Sequence, residues 1–142
     1  MSAVSEAITD ELLALLTDSL ERERQLGRAD RLQVQTAAST HLRQTWEAGW
    51  ALKRAHEEAL TRLLASAVHP AAPDVTPPAT LPSPREMLSW AYDQERLLAL
   101  QYRDSARLAG HPETEKVLAR LEDEQQRILD RVRVTYRDYS AA

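Results

Sequence analysis

The stretch LSWAYDQERLLALQYRDSARLAGHPETEKVLARLEDEQQRILDRV, Leu88 to Val132, decides the fold. In its first part Leu88, Ala91, Glu95, Leu98, Tyr102, Ser105 and Ala109 recur at spacings of 3 and 4, which aligns them on one face of a helix. Gly110, His111 and Pro112 then interrupt the pattern, glycine suiting a helix end and proline a first helical position. A second helix follows from Pro112 to about Tyr139, with an inward stripe of Val117, Leu121, Glu124, Ile128, Val132 and Thr135. At ~1.5 Å per residue each helix is roughly 40 Å long, and so short a connection forces them antiparallel. Upstream, Ser83-Pro84-Arg85-Glu86 reads as a capping box with proline at the favoured first position, so this hairpin starts near residue 84.

Immediately before it, six of the seven prolines fall between Pro70 and Pro84 in PAAPDVTPPATLPSP. Proline removes backbone donors and turns its predecessor away from helix, so residues 69–83 are expected to form an extended surface linker. At ~3.1 Å per residue such a segment reaches about 46 Å, enough to cross the length of a bundle. The other half, about 5–68, has no proline and reads as a second hairpin, with stripes Ile8, Leu12, Leu16, Leu20 and Leu42, Trp46, Gly49, His56, Leu60, Leu63, Ala67. Its break lies between Gly27 and Thr40. One option is LGRAD, with Gly27 closing a helix and Asp30 capping the next; the other is TAAST, Thr36 to Thr40. The expected fold is all-α: one domain over residues 1–142, an up-down four-helix bundle of two hairpins joined by a Pro-rich crossover. LLALLTDS at 12–19 and LLALQYRDS at 97–105 form a faint internal echo.

Composition narrows the function. Ala, Leu, Arg, Glu and Gln favour helix, and 142 residues are long enough to bury a core. A net charge of -4 argues against nucleic-acid binding through a general basic field. The arginines at 127, 131, 133 and 137 alternate with Asp130 and Asp138 and read as a solvated face. Cysteine is absent, which excludes disulfides, thiolate zinc sites and thiol catalysis. The N-terminus lacks the layout of a signal peptide and no apolar run approaches a membrane span, so a cytoplasmic location is expected. Nucleophile elbows and phosphate loops are absent too.

The informative residues are polar ones on apolar faces, because a buried carboxylate must be matched by a metal, an arginine or water. Glu95 and Glu124 fall at similar heights on adjacent helices. Arg127 stands three residues after Glu124, and pairing of Glu124 or Glu95 with it is the preferred reading, a metal site the sharper one. His56 is either a ligand beside Glu23 or Glu57 or a hydrogen-bonded core histidine. Tyr102 packs its ring and bonds a carboxylate. His41 and His111 read as turn or capping residues, His69 opens the linker, and Trp46, Trp50 and Trp90 are core or interface anchors.

The order Glu95, Tyr102, Pro112 and Glu124 resembles one helical hairpin of the ferritin-like, rubrerythrin-type superfamily, over about residues 88–132. In that pattern a Glu is followed seven residues later by Tyr, then by a Pro-marked turn and a helix carrying E-x-x-H. Here Arg127 stands where the histidine belongs, and the first half has no E-x-x-H. The resemblance implies a four-helix bundle holding two iron or manganese ions, with oxidase, peroxidase or metal-storage chemistry. Arginine cannot ligate a metal. The expectation is therefore a bundle with a degenerate metal site and no bound metal, a non-enzymatic structural or interaction protein that forms a homodimer. The alternative is a carboxylate-bridged di-iron or di-manganese protein using Glu95, Glu124, His56 and Glu23.

Overall fold

The computed structural model describes residues 9–37, 39–65 and 83–141, with backbone alone for 139–141. They form four helices: α1 Asp10–Thr36, α2 Thr40–Leu64, α3 Pro84–Leu108 and α4 Pro112–Ala141. The described residues form an all-α four-helix bundle, as the periodicity leads one to expect. The proline-rich segment before Ser83 lies outside the described residues, as do Ile8, Ala67 and His69.

Each helix start has a local chemical cause. The hydroxyls of Thr9, Ser39 and Ser83 accept the amides of Leu12, Leu42 and Glu86 at 3.2, 3.1 and 3.2 Å. A cap of this kind contributes about 1 kcal/mol. At α4, Pro112 occupies the first turn and His111 Nδ1 accepts the Glu113 amide at 3.2 Å, a capping role. His41 instead sits exposed inside the first turn of α2.

The first hairpin breaks at TAAST. Gly27 does not end α1, because Leu26, Ala29, Asp30 and Gln33 all continue its buried face. The ~1 kcal/mol that glycine costs in a helix is outweighed by burying another two turns. Asp30 is thus a buried residue within α1, not a cap.

Leucine fills the core. Leu12, Leu16, Leu26, Leu60, Leu64, Leu88, Leu98, Leu118 and Leu121 are fully enclosed, and Trp46 joins them. Trp90 is half-buried against this cluster, and Trp50 lies beneath the Arg54 guanidinium at 5.6 Å. The α4 face departs from the expected stripe at two positions: Leu118 and Gln125 are buried, whereas Val117 is partly buried and Glu124 is 30 % exposed in its side chain. Leu121 to Ile128 can be bridged through 124 or 125 with equally good helical spacing, and packing selected 125.

Contacts across the seams set the topology. The helices pair as α1 with α2, α3 with α4, α1 with α3 and α2 with α4. Ser19 meets Gln101 and Arg22 meets Gln94, so α1 and α3 are antiparallel. Thr45 meets Thr135 at 3.1 Å and His56 meets Glu124, so α2 and α4 are antiparallel as well. It follows that α2 and α3 run parallel on a diagonal, with Leu64 and Pro84 at opposite ends of the bundle. That is the geometry a crossover connection serves.

Candidate functional site

At mid-height the leucine core gives way to a layer of buried charge to which all four helices contribute. Lys53 on α2 is at its centre, 1 % exposed. Its Nζ donates to Glu23 Oε1 on α1 at 2.9 Å and to Gln125 Oε1 on α4 at 3.1 Å, and it contacts Glu95 Oε1 on α3. Gln125 Nε2 in turn donates to the Glu95 carbonyl and to Glu95 Oε1, both at 2.9 Å. One ammonium therefore spends its three donors on three helices besides its own.

His56 lies one turn beyond Lys53 and is fully buried. Its Nδ1 stands 2.9 Å from Glu23 Oε2, off the axis of a well-directed hydrogen bond, and its Nε2 stands 3.2 Å from Glu124 Oε1. Only a protonated ring could donate to both carboxylates. Tyr102 closes the layer, its ring edge-on to His56 at 5.9 Å and 89°. Its buried hydroxyl has no well-formed hydrogen bond. Burial, with the carboxylates of Glu23 and Glu95 nearby, pushes that phenol well above the usual tyrosine range.

The two carboxylates on Lys53 are not equivalent. Burial acts to raise Glu23, but the charges of Lys53 and His56 outweigh it and hold Glu23 below its usual value. For Glu95 burial prevails over Lys53, aided by repulsion from Glu23, and the group is raised. For Lys53 itself burial would lower the ammonium, yet Glu23 and Glu95 together raise it above the ordinary lysine value. A third carboxylate, Asp30, is 3 % exposed on α1, and its Oδ2 has no hydrogen-bond partner. Burial and the charges of Glu95 and Glu23 push it well above its usual range, against the weaker pull of Lys53.

Glu23, His56, Glu95 and Glu124, the four candidates read from the sequence, thus belong to one layer. The expected pairing of Arg127 with Glu124 or Glu95 does not form. Arg127 points to solvent with its side chain 76 % exposed and pairs with Asp123 at 2.9 Å. It lies two positions past the buried Gln125, on the outer side of α4, and its guanidinium is held at the surface. Glu57 is no partner of His56 either, pairing at the surface with Arg24 at 3.1 Å.

Lys53 and Gln125 are absent from the sequence-derived candidates, and Asp30 figures there only as a helix cap. A signal existed for the first: Lys53 completes the series Trp46, Gly49, Lys53, His56, Leu60 at spacings of 3, 4, 3, 4. Asp30 likewise continues the α1 face once the helix passes Gly27.

A carboxylate-bridged site needs its carboxylates turned on a shared centre that a cation can enter. Here the Lys53 ammonium stands between Glu23 and Glu95 and holds an oxygen of each. Among the described residues no three His, Asp or Glu side chains form a group suited to a metal ion. The residues present do not fit two metal ions. No described helix is long and apolar enough to cross a membrane.

Comparison with protein-family models gives no match, and no curated protein or solved structure matches the chain.

Proposed function

We propose that this protein is a ferritin-like bundle whose central cation position is taken by a lysine, and that it acts as a non-enzymatic structural or interaction module. One observation carries the reading: the Lys53 ammonium is bound between Glu23 and Glu95, carboxylates from two helices, with Gln125 from a third. A fixed positive charge there neutralises the carboxylates that would otherwise hold a metal, and it stays attached through the chain. The diagonal, parallel placement of α2 and α3 supports the same architecture. Self-association into a homodimer completes the proposal, with Trp50 and the exposed Leu97 and Leu100 of α3 as apolar side chains available to a second copy.

Elemental analysis of protein purified after growth in iron and manganese tests it. The expected result is far less than one ion per chain. Stoichiometric iron or manganese, lost on Glu95→Ala, would replace this reading with that of a metalloprotein.

A further inference from the structure

Between α2 and α4 a cavity of about 140 Å³ runs inward from the surface to the charged layer. Trp46, Ile128 and Val132 form apolar walls, and the exposed Arg127 and Arg131 stand at its mouth. Its deep end is Asp30 and Glu95, both buried. Gly49 lines it as well, and a Cβ there would stand 2.8 Å from Asp30 Oδ2, so only glycine leaves the Asp30 carboxyl room in its present position. An apolar cavity near this size accommodates a molecule of about six non-hydrogen atoms.

Acids outnumber bases around the deep end, an excess that a proton on Asp30 offsets while the site is empty. Glu23, Asp30 and Glu95 are buried acids, Lys53 is the buried base among them, and His56 is engaged between Glu23 and Glu124. Lys53 bonds Glu23 and Glu95 and makes no hydrogen bond to Asp30, which lines the deep end of the cavity and whose Oδ2, packed against Gly49, has no hydrogen-bond partner. One further positive charge at that point would meet an orphaned acceptor. We propose that this cavity binds a small organic primary amine as its ammonium ion, the charged head on Asp30 and an apolar body between Trp46 and Ile128. The arginines at the mouth repel a second cationic group, so monoamines are selected over diamines.

Burial and the neighbouring acids favour a protonated Asp30 in the empty site. An arriving R–NH3+ displaces that proton to solvent and leaves an ammonium–carboxylate pair, so charge is conserved across the step. This goes beyond the structural role proposed above and stands independently of it.

Isothermal titration of the full chain with n-pentylamine, n-pentanol and 1,5-diaminopentane tests the proposal, in two buffers of different ionisation enthalpy. The amine should bind one per chain with proton release, at least tenfold tighter than the alcohol or the diamine. Asp30→Asn, its fold checked by circular dichroism, should erase the preference of amine over alcohol. If that variant does not fold, the comparison on the wild-type chain decides. Equal affinity for amine and alcohol, absence of amine binding, or displacement of the amine by manganese alone would each overturn the assignment.

Discussion

The ammonium of Lys53 lies 2.9 Å from Glu23 Oε1 with both side chains removed from solvent, an ion pair inside a leucine core. Desolvating the two groups separately would cost several kcal/mol each, so the pair is tolerable only because Glu95 and Gln125 satisfy the remaining donors. The cluster ties α2 to the other three helices at one height, and two of them are reached across the hairpin boundary.

Removing the base should therefore be costly. Lys53→Met is expected to lower unfolding stability by about 3–5 kcal/mol, since it leaves Glu95 buried without a counter-charge and Glu23 with His56 alone. Urea denaturation measures this directly. Adding Glu23→Gln and Glu95→Gln to Lys53→Met should recover most of the loss. A single variant as stable as wild type would show that the layer is wet and loosely held.

Opposite pH slopes are expected from two acids of the same layer. Glu23 is held below its usual value, so its stabilisation is present at neutral pH and lost as pH falls below about 4.5 towards its folded value. Asp30 is held above its usual value, so the folded chain binds its proton more tightly, and stability falls as pH rises from about 3.8 through the folded value. Glu23→Gln should flatten the acid limb of a stability–pH curve. Asp30→Asn should instead relieve the decline on the rising limb and make the variant the more stable protein at pH 7. Denaturation at a series of pH values distinguishes the two, and coincident curves for both variants would contradict the assignment.

Arg127→Ala should change stability by no more than about 0.5 kcal/mol. Its pair with Asp123 is exposed and spaced i,i+4, the type of ion pair whose contribution is small and screened by salt. Thermal unfolding at low and high salt checks this. A loss near 3 kcal/mol would mean that the guanidinium reaches an interior acid after all.

Trp50→Ala tests the dimer. Trp50 is half-buried at the bundle surface beneath Arg54, a position from which an aromatic anchor could contribute ~2 kcal/mol or more to self-association. Sedimentation equilibrium should show wild-type dimer and a shift toward monomer in the variant. A wild type that stays monomeric at high concentration removes the proposed self-interface.

The architecture was legible because it rests on local chemistry. The spacing of Leu88, Ala91, Leu98 and Tyr102, the Ser83–Glu86 start and the Gly110–Pro112 break each act within a few residues, and all three appear where their sequences put them. The candidate site was legible in part for the same reason: Glu23, His56 and Glu95 are polar residues in otherwise inward positions, and inward they lie.

What the sequence by itself determined is thus which segments are helical and, to within one position, which face of each is turned inward. Only tertiary structure decided how those faces meet. A shift of one position on α4 exchanges Glu124 for Gln125 in the core at no cost in helical spacing, and it carries Arg127 out to solvent. Whether α1 stops at Gly27 or runs on to Thr36 depends on burial of Leu26, Ala29 and Asp30, a gain that exists only once α2 and α3 are in place. Lys53 reads as a break in an apolar stripe until Glu23 and Glu95, 30 and 42 residues away, supply the charges that let an ammonium be buried. Periodicity is a property of one helix, whereas neutralising a buried charge requires partners from several.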